Sequence, residues 1–153
     1  MDAAGNAWFT EPGDVNAPGT SNIGRIDAVT NAVTRTATSV APRGIAVAID
    51  GRVWFTARFT PQAVGRLDPA TSQVTTVLSL TNVGPEAIAA APDGSMWFTQ
   101  STAGNIARVT ADGGYTQGKT VKGSEPFDVS VDPVGNPWYT MMSANKIAEF
   151  QLR

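Results

Sequence analysis

The chain has 153 residues, 42% of them apolar and 16% charged, with a net charge of −2 and an isoelectric point near 4.9. That balance excludes a nucleic-acid surface, which needs a basic stripe, and no run of about 18 apolar residues offers a membrane span. There is no cysteine and no histidine, which excludes disulfides, thiolate metal sites, Cys nucleophiles and the usual neutral-pH general base. The first residues, Met1 to Asn6, have neither the basic nor the apolar character of a secretory leader. A soluble protein of bacterial type is expected, cytoplasmic or secreted, with the compartment undecided.

In chain order, the first element is Trp8-Phe9-Thr10 after the turn Gly5-Asn6, and Asn22 to Asp27 and Ala32 to Thr38 predict two further strands. A small-residue strand, Ile45-Ala46-Val47-Ala48-Ile49, opens the next unit. It continues through the turn Asp50-Gly51, Trp54-Phe55-Thr56, Ala63 to Asp68, and Gln73 to Leu80. The same order recurs at Ile88-Ala89-Ala90-Ala91, Asp93-Gly94, Trp97-Phe98-Thr99, Asn105 to Val109 and Tyr115 to Val121. A last copy runs Val129-Ser130-Val131, Gly135-Asn136, Trp138-Tyr139-Thr140 and Lys146 to Phe150. Asp-Gly between two strands predicts a type I′ hairpin, with positive φ at both central residues. Gly, Pro, Asp and Asn clusters separate the strands, and no helical period occurs.

The four Trp strands stand 46, 43 and 41 residues apart. A four-stranded unit of about 42 residues is a β-propeller blade. The expected fold is all-β, with blades of four antiparallel strands, A to D from the axis outward. The chain holds 14 such strands, or about 3.5 blades of an incomplete ring. A β-sandwich competes, but it has no need of this period. Residues 1–153 form one partial propeller domain: blade 1, strands B–D, over 1–40; blade 2 over 41–81; blade 3 over 82–122; and blade 4, strands A–C, over 123–153. Stacked blades bury both faces of their middle strands, which accounts for apolar runs such as Val53-Trp54-Phe55. With an edge open at each end, the expectation is a fragment of a longer propeller completed by further blades of the same chain. A homodimer completing a ring of eight is the alternative.

The combined pattern is Pro-x-x-Ile/Val, a small-residue strand, Asp-Gly, Trp-Phe-Thr, then Ile-Gly-Arg-Ile/Leu-Asp. It resembles the virginiamycin B lyase (streptogramin lyase) family across essentially the whole chain. The resemblance implies a seven-bladed propeller and an antibiotic-resistance lyase that uses magnesium. Such lyases open cyclic streptogramin B compounds by elimination at the ester linkage, without hydrolysis. It also implies histidines in the Pro-x-x-Ile turns and a glutamate directly after Trp-Phe-Thr, 14 residues later. Elimination needs a base for the proton α to the carbonyl, stabilisation of the enolate, and an acid for the leaving oxygen. At the turn position this chain has Arg43, Glu86 and Phe127, and after the Trp strands it has Glu11, Ala57, Gln100 and Met141. Glu11 alone matches the family's acid position. The catalytic set is not intact here, and no cofactor is evident; magnesium is expected only in the intact family site.

What recurs in every blade serves the blade, and what differs is free to serve a ligand. Turns leading into strand A and loops joining strands B and C share one face of a propeller. On that face Arg43, Glu86 and Asp128 differ between blades, as do Arg58, Gln100, Met141 and Met142 in the B–C loops. These are the candidates for a small molecule at the propeller mouth, with a solvated rim as the plain alternative; neither nucleic acid nor membrane is an expected partner. The first B–C loop, Glu11 to Asn22, is longer than the others and reads as a surface insertion or a lid. Arg25, Arg66 and Arg108 form a column on strand C, with Asp27 and Asp68 two residues on, and read as structural. Three readings stay open: an inactive portion of a lyase, a non-catalytic propeller binding an anion or peptide, and a self-assembling half-propeller.

Overall fold

The computed structural model describes residues 1–14, 19–118 and 123–151, and these contain fourteen strands in four antiparallel sheets. The first sheet holds β1 (Ala7–Glu11), β2 (Asn22–Ile26) and β3 (Val33–Ala37). The second holds β4 (Ile45–Val47), β5 (Val53–Ala57), β6 (Gln62–Asp68) and β7 (Gln73–Leu80). The third holds β8 (Pro85–Ala90), β9 (Met96–Gln100), β10 (Asn105–Val109) and β11 (Tyr115–Gln117). The fourth holds β12 (Pro126–Val131), β13 (Pro137–Met141) and β14 (Lys146–Glu149). Each sheet is a meander in chain order, as propeller blades are. The last part of the third outer strand, expected to reach Val121, falls at 119–122 and lies outside the described residues. In the third and fourth blades strand A starts earlier than expected, at Pro85 and Pro126. A register shift before Ile88 and before Val129 lets the preceding turn pair with the end of strand B.

The A–B turns differ from the expected type I′. In each, only the glycine has positive φ: Gly5 84°, Gly51 82°, Gly94 81° and Gly135 100°. Gly51 N–H donates to the Ala48 carbonyl and Ala48 N–H to the Arg52 carbonyl, both at 2.9 Å, and the other three turns repeat this pair. This is the three-residue hairpin loop in which a type I turn is followed by a left-handed glycine. Asp50 and Asp93 act through their side chains instead, accepting the N–H of Arg52 at 3.0 Å and of Ser95 at 2.9 Å.

Alternation gives strand B two faces. Phe55, Phe98 and Tyr139 point back along the chain order, towards the preceding blade, and Phe9 has the same parity in blade 1. The Phe55 ring lies over Gly65 on β6 and leaves no room there for a Cβ. Trp8, Trp54 and Trp97 point forward, towards the next blade. The seams between blades follow from this: Trp8 and Ile23 meet Val53, Phe55 and Leu67; Trp54 and Val64 meet Met96, Phe98 and Val109; Trp97 and Ile106 meet Val129, Tyr139 and Met141. Aromatic side chains of this kind each bury roughly 150–250 Å², so the seams are the core.

The Thr of each Trp strand ties neighbouring blades together. Thr56 Oγ1 accepts the N–H of Gly44, in its own blade's lead-in turn, at 2.9 Å and donates to the Glu86 carbonyl of the next blade. Thr99 does the same with Ala87 N–H and the Phe127 carbonyl, both at 3.1 Å. Thr10 donates forward to the Arg43 carbonyl at 2.9 Å, and Thr140 accepts Asp128 N–H at 3.0 Å. The arginine column is structural, but its partners vary. Arg25 meets Asp27 at 3.3 Å, Arg66 reaches the Ala111 carbonyl of the next blade at 2.8 Å, and Arg108 bonds Ser95 at 2.9 Å and Asp93 at 2.6 Å.

Candidate functional site

The threonine ties draw the lead-in turns of blades 2, 3 and 4 to one end of the stack, and the B–C loop of blade 2 joins them there. Glu86, at the start of strand A of blade 3, is only 2% exposed. Its carboxylate is paired with Arg43 Nε at one oxygen and with Arg58 Nη1 at the other. Ser101 Oγ also donates to it, at 3.3 Å. Burying a carboxylate is costly unless it is paired and hydrogen-bonded, and here three donors from two blades do both. The two guanidiniums are 42% and 36% exposed, so their remaining N–H groups face outward with one net positive charge. Arg43 also lies over the Phe127 ring, its Cζ 5.8 Å from the centroid.

Two clefts open beside this group. One, of about 380 Å³, is lined by Arg58, Ser101, Thr102, Glu125, Phe127 and Met142. The other, of about 350 Å³, is lined by Arg43, Gly44, Glu86, Ala87, Phe127 and Asp128. Phe127 belongs to both. Each cleft therefore offers guanidinium and hydroxyl or carboxylate groups against an aromatic wall.

Of the residues expected at the mouth, Arg43, Arg58, Glu86 and Asp128 come together. Asp128 is exposed, and its Oδ1 accepts Val129 N–H at 2.9 Å. Gln100 and Met141 do not join them, which corrects their assignment to the loop. The residue after Thr still belongs to strand B, and period 2 sends it to the same face as the Phe, into the seam. Gln100 is wholly buried; its Nε2 donates to Tyr115 Oη at 2.8 Å and its Oε1 accepts Gln117 Nε2 at 3.1 Å. Met141 is 7% exposed and packs in the seam between blades 3 and 4. Glu11 obeys the same parity: Arg35 Nε on β3 donates to both its oxygens, at 3.0 and 2.9 Å. The loop after it, residues 15–18, lies outside the described residues.

Sequence reasoning missed Ser101, Thr102 and Glu125. Ser101 and Thr102 were legible as the first polar residues of their loop once the strand was extended to Gln100. Glu125, just before Pro126, adopts a positive φ of 46° and its carboxylate accepts from Ser143, neither of which the sequence signals. The cluster does not suit the magnesium ion that the resemblance implies. Mg²⁺ wants several free oxygen ligands, whereas both Glu86 oxygens face guanidiniums, and no three acidic side chains converge among the described residues.

The sequence matches the virginiamycin B lyase family over residues 29–153. Among curated proteins none matches it. A catalytically inactive virginiamycin B lyase from Staphylococcus aureus, in a structure with quinupristin, superposes with a TM-score of 0.81 at 23% identity, covering 99% of this chain and 54% of that one. A streptogramin B lyase gives 0.81 at 21% identity, covering 100% and 53%. A gluconolactonase from Xanthomonas campestris gives 0.75 at 22%, covering 98% and 56%. The chain thus spans about half the length of these structures, and what it shares with them is the propeller fold. The family match across residues 29–153 establishes that this chain belongs to the virginiamycin B lyase family.

Proposed function

We propose that this chain is a ligand-binding part of a virginiamycin B lyase-like propeller, one that holds a small molecule at its mouth and does not by itself perform elimination. The observation that carries this reading is the buried Glu86 carboxylate gripping Arg43 and Arg58. A fixed guanidinium loses little freedom when it binds, so its outward N–H groups are preorganised donors for a carbonyl or carboxylate oxygen. Phe127 and Met142, 41% and 60% exposed, supply apolar contact for a ring beside that oxygen. The ligand class is therefore a carbonyl-rich, partly apolar small molecule.

Elimination requires a base, and the sequence has no histidine. The two carboxylates at the relevant positions are engaged already, Glu86 by Arg43 and Arg58 and Glu11 by Arg35.

The test is a calorimetric titration with quinupristin, followed by mass spectrometry of the recovered compound. Binding with the compound recovered intact is expected, together with affinity about tenfold weaker in Arg58→Ala, the loss of one good donor set. Ring-opened product would reject the non-catalytic assignment. Absence of binding, or unchanged affinity in Arg58→Ala and Arg43→Ala, would reject the mouth as the site.

A further inference from the structure

The three seams are alike at their Trp strands and differ in what fills their outer half. Between blades 3 and 4, strand D puts Gly118 opposite Ile106, and the Phe150 ring takes the space beside it, with its centroid 5.5 Å from that of Trp97. Between blades 2 and 3 the same strand-D position is Leu78, opposite Val64. It packs in one cluster with Val109, the counterpart of Phe150, and the bulged Val77 adds to the filling. Between blades 1 and 2 that position is Thr36, opposite Ile23 and across from Leu67, and β3 has no bulge. The arginines differ in the same sense. Arg66 crosses its seam to the Ala111 carbonyl, whereas Arg25 turns to Asp27 in its own blade and holds its Cζ 5.9 Å from the Trp8 ring centroid. A cleft of about 260 Å³ results between blades 1 and 2.

Its walls are apolar with a few hydrogen-bonding groups, as ligand sites are. Trp8, Ile23 and Leu67 give the apolar part. Around them Thr34 and Thr36 on β3, and Ser72 in the C–D turn of blade 2, carry hydroxyls that bond no other described residue. Arg25 Nε–H is buried and also has no partner among the described residues. A buried orphan donor is rare and calls for an acceptor from outside the chain. The walls carry no net charge: Arg25 is paired with Asp27, and Arg35 holds Glu11 on the opposite face of β3.

We propose that this cleft binds one ring of a neutral sugar. Hydroxyls donate and accept at once, which matches three free hydroxyls and one guanidinium N–H. The C–H face of a pyranose matches Trp8 and Leu67, and the volume is several times the ~30 Å³ share of a water molecule. An anion would meet the Asp27 carboxylate already on Arg25. Both walls lie on the outer strands of two adjacent blades of this chain, away from the mouth and independent of the ligand proposed there.

Nitrogen–proton NMR titrations of the full chain test this, using the methyl glycosides of glucopyranose, galactopyranose and mannopyranose. At least one should shift the Thr34, Thr36 and Ser72 amides saturably, with a dissociation constant on the order of millimolar, as a ligand of so few atoms allows. Sodium sulfate should leave those amides in place. Thr36→Leu copies the filler of blade 2 and should abolish the shifts with no loss of melting temperature. Thr34→Ala, at an exposed position, should weaken binding about two- to tenfold by removing one hydroxyl bond, and it serves as the test should Thr36→Leu misfold. No saturable shift with any of the three glycosides overturns the proposal. So does sulfate shifting the same amides more than any glycoside, or glycoside binding that is unchanged in Thr34→Ala or in folded Thr36→Leu.

Discussion

Glu86 and Asp2 show how single carboxylates are put to opposite uses in one repeat. Glu86 is buried and gathers two arginines from outside its own blade, which makes it a positioning group for their donors. Asp2 lies in a hairpin loop, where Asn6 Nδ2 and Trp8 Nε1 each donate to its Oδ2 at 2.9 Å. The Asn6 side chain first, and then the Trp8 indole, lower its pKa from 3.8 to about 2. Asp132 repeats the arrangement in blade 4: partial desolvation opposes the shift, but donors from Asn136, Val134 and Trp138 outweigh it. A folded pKa below the unfolded one stabilises fully above the unfolded value, and that contribution is lost as pH falls through the folded value. Thermal midpoints should therefore fall between pH 3.8 and about 2, and Asp2→Asn should lower the midpoint at neutral pH while flattening this decline. An unchanged slope in Asp2→Asn would show that Asp2 is not paired in solution. At this scale the sequence was half legible. Opposite charges at the same turn position of adjacent blades, Arg43 and Glu86, marked the cluster. The Glu11–Arg35 pair stayed hidden, because it depends on the register between strands B and D, which no local signal sets.

A strand's parity decides which of its residues can reach a ligand. Trp-aromatic-Thr alternates forward, back, forward, so the next residue must point back, and Gln100 and Met141 were legible as seam residues on that rule. Placing them in a loop ended strand B one residue early. The fold itself was legible because every seam needs the same large forward filler, so tryptophan recurs wherever a seam does. The turn type was not, since Asp-Gly serves both a two-residue loop and the second half of a three-residue one. The threonines allow a test at this scale. Thr56→Val removes both bonds of a tie and strands Gly44 N–H and the Glu86 carbonyl, at a cost of about 1–3 kcal/mol. Thr140→Val removes only the bond accepted from Asp128 N–H, at a half-buried position, and should cost clearly less in urea denaturation. Equal costs would mean that the forward bond contributes nothing.

Across the whole molecule, stability should behave as a sum of blade and seam contributions, because each blade touches only its neighbours in the stack. Blades 2 and 3 have seams on both faces, and every residue of β5 and β9 is buried. Blades 1 and 4 have one seam each, and β1 is half-buried throughout while β14 is half-buried to exposed. Opening an end blade breaks one seam, whereas opening a middle blade breaks two, so local unfolding should start at the ends. In hydrogen exchange on dilute protein, the amides of β5, β6, β9 and β10 should exchange last, with β1, β13 and β14 well ahead of them. Uniform protection along the chain in dilute solution would instead mean that the four sheets open as one cooperative unit. In that case the seams, rather than the blades, would be the unit whose loss unfolds the protein.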